Sequence, residues 1–257
     1  MPAGSMLTGR FVRHDLMTTN QTKSLAFYRA LFPEWQINSI EMDGAGTYHV
    51  ISVGGQDMGG IVELPQNAGL SSHWIPYVVV DNCDAAVKSC TELGGTTVVP
   101  PVSLPDVGIT AVLRDDQGAV FKPFQLEQDI TLSAAKVSGQ FAFDALLTVD
   151  MSQARSFYQT VFGWSSIEVP TENTGSYVLF RIGDQDVAGA MVMPDDARAS
   201  PHWLTYLYAE DIDERSKQVE ELGGMTHVKP RDIPGVGRFA VHADPNGATF
   251  ALFLKPQ

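Results

Sequence analysis

Apolar and polar residues follow one another along the chain in an order that repeats. A strand-like segment at 11–17 is followed by apolar residues at helical spacing, among them Phe27, Tyr28 and Leu31. Three short strand-like segments come next, separated by glycine-containing turns. The same order starts again at His73, with a helix predicted over residues 84–93. The pattern therefore predicts βαβββ modules, and the chain contains four of them.

The second half of the chain repeats the first at an offset of 129 residues. Rare residues such as tryptophan and histidine match at this one offset, which indicates a tandem duplication. Before Trp35 the offset is 130, because the second half lacks one residue between Phe162 and Trp164. The repeat predicts domains at 1–128 and 141–257, joined by a polar linker at 129–140. The matching segments are His73-Trp74 with His202-Trp203, 92–95 (ELGG) with 221–224, and Gly118-Ala119 with Gly247-Ala248.

Capping residues mark the ends of the predicted helices. Asn20 and Ser152 are the expected N-caps of the first helix in each half, because their side-chain oxygens can accept from exposed backbone N–H groups. The glycines at 94–95 and 223–224 are expected to end the second helices in a left-handed conformation.

Composition and charge argue against some classes of binding partner. The 257 residues are 44% hydrophobic and 18% charged, which is typical of a globular protein, and the formal net charge is −13. That charge would repel nucleic acid and anionic membrane surfaces. Cys83 and Cys90 have no counterparts in the second half, which favours buried thiols in a reducing compartment. Because we find neither a signal peptide nor an apolar run of membrane-spanning length, we expect a cytoplasmic protein.

The repeated segments resemble the vicinal oxygen chelate superfamily, which includes glyoxalases, bleomycin-resistance proteins and extradiol dioxygenases. The segments that carry the resemblance are FYRALFPEW and FYQTVFGW, HWIPYVVVDN and HWLTYLYAED, and DDQGAVFKPF and DPNGATFALF. The resemblance implies an α+β fold in which each half pairs two βαβββ modules into a curved mixed sheet around a cup. It also implies that a divalent metal often occupies the cup, held by one residue from each of four strands.

Of the positions that the resemblance assigns to the metal, only Glu63 carries a suitable donor. In the first half they are Arg13, Glu63, Ile75 and Lys122, and in the second half Phe143, Val192, Leu204 and Ala251. Cationic and apolar side chains cannot bind a divalent metal. We therefore expect no cofactor, and we predict that Arg13, Asp15, Glu63 and Lys122 form a charged ligand-binding wall and that Phe143, Leu204 and Ala251 form an apolar one.

A shift of one residue in strand register would change this interpretation, because it turns every side chain to the other face. The opening strand would then present His14, and His14, Glu63 and His73 could form a site of two histidines and one carboxylate for a divalent metal. This alternative would make the protein a metal-dependent lyase, isomerase or dioxygenase.

Two histidines and two tyrosines recur at equivalent positions and are the candidate catalytic residues: His73, His202, Tyr77 and Tyr206. A histidine can transfer protons near neutral pH, and a tyrosine can donate to a ligand oxygen. The structural alternative is that each histidine begins a strand and its ring only forms a hydrogen bond with a loop carbonyl. The sequence therefore favours a protein that binds or converts a small organic molecule, such as an antibiotic or a pathway intermediate, without metal. The sequence is also compatible with a homodimer.

Overall fold

The computed structural model describes residues 6–42, 46–67, 69–128, 130–132, 137–170, 176–194 and 199–255. The first half contains two modules. Module 1 comprises β1 (Phe11–Thr18), α1 (Gln21–Leu31), β2 (Gln36–Met42), β3 (Gly46–Val53) and β4 (Gln56–Glu63). Module 2 comprises β5 (His73–Val79), α2 (Cys83–Glu92), β6 (Thr96–Leu104), β7 (Gly108–Arg114) and β8 (Val120–Leu126).

The second half contains two further modules in the same order. Module 3 comprises β9 (Phe141–Thr148), α3 (Met151–Phe162), β10 (Ser165–Pro170), β11 (Ser176–Ile182) and β12 (Gln185–Val192). Module 4 comprises β13 (His202–Tyr208), α4 (Ile212–Glu221), β14 (Met225–Ile233), β15 (Gly237–Ala243) and β16 (Thr249–Leu254).

Each half contributes one eight-stranded mixed sheet, in the orders β2-β3-β4-β1-β5-β8-β7-β6 and β10-β11-β12-β9-β13-β16-β15-β14. Within a module the opening strand runs parallel to the fourth strand, as β1 does to β4, and the remaining neighbours are antiparallel. A helix between two parallel strands supplies the crossover that such a pair needs. The predicted α+β class and the tandem βαβββ modules are confirmed.

Packing groups the modules into two compact units that differ from the sequence halves. The middle unit comprises 1–12, 76–131 and 143–203, and so contains most of modules 2 and 3. The terminal unit comprises 13–75, 132–142 and 204–257, and so contains most of modules 1 and 4. The predicted division at 129–140 follows the two sheets; independent folding of 1–128 or 141–257 stays a prediction.

Each unit is held together by a buried chain of tryptophan, tyrosine and aspartate. In the middle unit the Trp203 indole donates to the Tyr158 hydroxyl at 3.0 Å, and that hydroxyl donates to Asp115 at 2.8 Å. The other oxygen of Asp115 accepts from backbone N–H groups of its own turn, including Ala119 at 2.7 Å. In the terminal unit Trp74 donates to Tyr28 at 3.1 Å, and Tyr28 binds Asp244. The aspartates of the recurring DDQGA and DPNGA segments are therefore structural.

The helix ends follow simple capping chemistry. Asn20 caps α1 and accepts from the Lys23 N–H at 2.9 Å, as predicted. The prediction for α3 was wrong: Asp150, two residues before Ser152, caps it and accepts from the Gln153 N–H at 2.9 Å. Gly94 and Gly223 follow α2 and α4 with φ of +89° and +84°, the left-handed conformation that glycine allows. In the ranges that the structure describes, no helix is long and apolar enough to cross a membrane.

Candidate functional site

The strands of each module have a helix-covered face and an opposite face, which we call the open face. In module 1, Leu16 and Ile61 pack with Phe27 and Tyr28 of α1 in the buried core. Side chains alternate along a strand, so Arg13 and Asp15 lie on the open face. The resemblance assigns this face to the cup, and a ligand-binding role for Arg13 and Asp15 stays a prediction.

The open face of module 1 carries a hydrogen-bonded acid. Asp15 is 2% exposed and accepts from the Tyr48 hydroxyl at 2.8 Å. Gly60 makes room for the Tyr48 ring, since a Cβ at that position would lie 2.3 Å from it. Burial, followed by the charge of Asp15, raises the pKa of Tyr48 far above its usual range, so the phenol stays protonated and donates. Nearby on the same strand, Arg13 forms an ion pair with Asp57 at 3.8 Å.

The open face of module 2 carries a buried cation. Lys122 on β8 is 8% exposed, lies opposite Tyr77 of β5 in the parallel register, and donates to the Tyr77 hydroxyl at 2.9 Å. The ammonium also lies 4.5 Å from the centre of the Tyr77 ring, a cation–π distance. An ammonium and a phenol therefore lie side by side on this face, as the alternation of β5 predicted.

Modules 3 and 4 carry apolar residues at the equivalent positions. Phe143 and Ala145 replace Arg13 and Asp15. In module 4, Ala251 lies opposite Tyr206 in the β13–β16 register and is fully buried. Leu204, two residues before Tyr206, is 4% exposed. The two halves therefore differ in the polarity of these positions, and the role of either set in ligand binding stays a prediction.

His73 and His202 each begin a strand and point a ring nitrogen at a loop carbonyl. Nδ1 of His73 donates to the Ser71 carbonyl at 2.7 Å, and Nδ1 of His202 donates to the Ser200 carbonyl at 2.8 Å. Burial lowers the pKa of His202, and the hydrogen bond to Ser200 partly offsets that effect. These contacts match the structural interpretation of the two histidines, and a catalytic role stays a prediction.

The shifted register that would have assembled His14, Glu63 and His73 is wrong. His14 lies on the helix-covered face with Leu16, and its ring stacks on Phe141 at 3.9 Å between centroids. Glu63 is exposed and lies opposite Thr18, which is on that same helix-covered face, so it is not part of the charged wall predicted beside Arg13. Among the residues that the structure describes, no three or more His, Cys, Asp or Glu side chains could hold a metal ion together.

The positions that the superfamily uses for metal do not fit one here. Lys122 is cationic and bound to Tyr77, and Arg13 is paired with Asp57. Ile75 is 3% exposed, and its side chain has no atom that could bind a metal. Leu204 and Ala251 are also buried and also lack such an atom. A divalent cation would meet positive charge or hydrocarbon at these positions.

Tyr48 and Asp57 are the site residues that the sequence did not single out. The recurrence of Tyr48 as Tyr177, and of Gln56-Asp57 as Gln185-Asp186, was a usable signal. Tyr177 lies over Gly189 as Tyr48 lies over Gly60, with a Cβ at Gly189 only 1.7 Å from the phenol oxygen. The tyrosine-over-glycine arrangement is thus common to both halves, whereas the aspartate below it is found only in the first.

Residues 140–252 match the family model described as "Glyoxalase/Bleomycin resistance protein/Dioxygenase superfamily". The chain is 31% identical over 244 residues to "Putative glyoxylase CFP32" of Mycobacterium tuberculosis, an alignment that covers 94% of this chain and 93% of the relative. The chain belongs to this superfamily.

One further relative and one solved structure are also similar to this chain. The relative "Anthracycline biosynthesis protein DnrV" of Streptomyces peucetius is 27% identical over 251 residues, with 93% of this chain and 90% of that protein covered. The Mn(II)-bound glyoxalase from Novosphingobium aromaticivorans superimposes with a TM-score of 0.65 at 12% identity, covering 96% of this chain and 82% of that one. The second similarity concerns the fold alone.

Proposed function

We propose that this superfamily member binds a small organic molecule through an acidic or carbonyl oxygen, without the superfamily's metal. The observation that carries the proposal is the Lys122–Tyr77 pair, in which a buried ammonium lies 2.9 Å from a phenol oxygen on an open strand face. At this position the superfamily places a metal ligand. A lysine there repels a metal ion and at the same time supplies positive charge to a ligand oxygen.

The relatives support an aromatic, oxygen-rich ligand. One is named for anthracycline biosynthesis, and anthracyclines are polycyclic hydroxyquinones. Within the middle unit, Lys122 and Tyr77 offer N–H and O–H donors to such oxygens. Binding alone is sufficient for a sequestering protein; a proton transfer by Tyr77 would make the protein an enzyme.

The experiment is a fluorescence titration with 1,8-dihydroxyanthraquinone as the probe and unsubstituted anthraquinone as its matched control. We expect Lys122→Met to weaken binding of the hydroxylated probe about tenfold or more, because a charge-assisted hydrogen bond is lost. The variant should still fold, since apolar replacement of a buried ion is commonly tolerated. Circular dichroism checks this, and Tyr77→Phe provides a second, smaller perturbation.

The absence of metal dependence is measured in parallel. We expect the wild-type affinity for the probe to be unchanged by EDTA, and calorimetric titration with Zn²⁺ or Mn²⁺ to show no stoichiometric binding. Loss of probe binding after chelation, or equal affinity of the wild type and Lys122→Met, would overturn the proposal.

A further inference from the structure

A polar cavity lies within the terminal unit. It has a volume of about 380 Å³ and is formed by the chain after α1, the turn before β9 and the beginning of α4. The charged and hydroxyl side chains that line it are Glu34, Ser138, Glu210, Asp211, Glu214 and Arg215.

Four carboxylates and one guanidinium give this cavity an excess of negative charge. The guanidinium of Arg215 is directed to the end of α1, where it binds the Leu31 carbonyl and Glu34 Oε1, the latter at 3.2 Å. Its remaining contacts are Gln218 at 3.3 Å and the face of Phe32 at 5.6 Å. Lys217 forms an ion pair with Glu214 at 3.6 Å, and the Asp211 carboxylate caps α4 by accepting from the Glu214 N–H at 2.9 Å. Four carboxylates against the charges of Arg215 and Lys217 still leave the cavity with an excess of negative charge.

Two buried polar atoms at the cavity have no hydrogen-bond partner within the described ranges: Ser138 Oγ and Glu34 Oε2. Ser138 is only 7% exposed. Leaving such an atom unsatisfied is costly, and native proteins rarely do so. Because a Glu34 carboxylate oxygen accepts hydrogen bonds, a ligand that satisfies Oε2 would supply an N–H or O–H donor.

The equivalent corner of the middle unit lacks both unsatisfied atoms. The two corners correspond because Trp164 donates to the Gly9 carbonyl at 2.9 Å, just as Trp35 donates to the Gly139 carbonyl at 2.9 Å. There the hydroxyl of Thr8, the counterpart of Ser138, donates to Asp81 at 2.5 Å. The second half has only Gly163 where the first half has Pro33 and Glu34, so it has no carboxylate at this place.

The remaining charges also differ between the corners. Ala85 and Ala86 of α2 stand where α4 has Glu214 and Arg215. The duplicated fold therefore does not require the acidic cavity or its unsatisfied atoms. They are specific to the terminal unit.

We propose that this cavity binds a small organic ammonium ion of the polyamine class, with Glu34 Oε2 and Ser138 Oγ as acceptors for its N–H groups. An ammonium group offers several donors together with the positive charge that the carboxylates attract. The volume of about 380 Å³ would hold on the order of ten waters and suits an organic ion better than a bare metal. The described residues also provide no three-carboxylate group for a metal ion.

The experiment is calorimetric titration of the full chain with spermidine, with tetramethylammonium, which lacks N–H donors, as the control ion. We expect stoichiometric spermidine binding that Glu34→Gln weakens about tenfold or more and Ser138→Ala weakens about threefold. Asp81→Asn, the same change of charge in the equivalent corner, should leave the affinity unchanged. Ser138→Ala keeps all charges and the Arg215–Glu34 pair, so it reports on the cavity even if Glu34→Gln fails to fold.

Equal weakening by Asp81→Asn would mean that spermidine binds the acidic surface at large and would overturn the proposal. Equal binding of tetramethylammonium, or displacement of spermidine by Mg²⁺ or Ca²⁺ at comparable concentration, would also overturn it. Lys122→Met should not change spermidine binding, which separates this site from the function proposed above.

Discussion

Modules 2 and 4 are equivalent at an offset of 129 residues, yet they bury polar groups on opposite faces of their strands. Module 2 has Lys122 on its open face, while its helix-covered face has Leu113 in the hydrophobic core. Module 4 has Ala251 on its open face and His242 beneath α4, where the ring lies 3.1 Å from the Ser216 hydroxyl. Both arrangements maintain the same fold.

This difference teaches that the two faces tolerate polarity independently. Each buried polar group is accompanied by a local partner: Tyr77 for Lys122, and Ser216 and Thr226 for His242. A buried polar group is acceptable where its hydrogen bonds are made. Exchanging residues between the modules should therefore be costly wherever the partner is missing.

The largest effect is expected from giving module 4 the lysine of module 2. Ala251 is fully buried, so Ala251→Lys would place an ammonium among tightly packed side chains. We expect the free energy of unfolding to fall by about 4 kcal/mol or more. Urea denaturation measures it, with Ala251→Met as a control that adds similar bulk without charge. If the two variants lost equal stability, charge would not distinguish the modules.

An intermediate effect is expected from the histidine of module 4. Burial holds the pKa of His242 at about 4, below the 6.5 of an unfolded chain. The unfolded state therefore binds the proton first, and stability is complete above pH 6.5 and is lost as the pH falls towards 4. The loss attributable to His242 approaches about 3 kcal/mol.

His242→Leu, which copies Leu113, should remove this part of the acid sensitivity. Urea midpoints at pH 7 and pH 4.5 would be compared for the variant and the wild type. If the urea midpoints of the variant and the wild type fell equally between pH 7 and pH 4.5, His242 would not differ from Leu113 in its effect on acid stability.

The smallest effect is expected where the two units agree. Tyr158→Phe and Tyr28→Phe each remove a hydroxyl that joins a tryptophan to an aspartate. Burial raises the pKa of both tyrosines, so each phenol acts as a donor at neutral pH. We expect each variant to lose about 1–3 kcal/mol, read from thermal midpoints. A loss confined to one tyrosine would show that the matching geometry hides unequal energetics.

The sequence predicted the modules well because its evidence was repeated. Two copies of each segment located the strands, and Tyr77 and Lys122 lie opposite each other in the β5–β8 register. Glu63 was placed wrongly because the fourth strand was the most loosely aligned; β4 has a register shift between Asp57 and Gly59, and Glu63 pairs with Thr18. Alternation cannot be carried across such a register shift.

The acidic cavity could not be predicted because its residues come from three distant parts of the chain. Glu34, Ser138 and Arg215 meet only after folding. One signal was present: the halves differ in length by one residue near Trp35, where Pro33 and Glu34 correspond to the single residue Gly163. An extra residue in one copy of a duplicated fold indicates a place where the two copies differ in structure.

The composition of the two compact units has a consequence for synthesis on the ribosome. All residues of the middle unit have been translated by position 203, whereas the terminal unit needs residues from 13 to 257. Modules emerge from the ribosome in order, and nascent chains fold as they emerge. Module 1 must therefore wait, with Leu16 and Phe27 unburied by their final neighbours, until Phe250 and Leu252 arrive. A stop codon that removes only β16 would leave the first-made part of the protein without its partner.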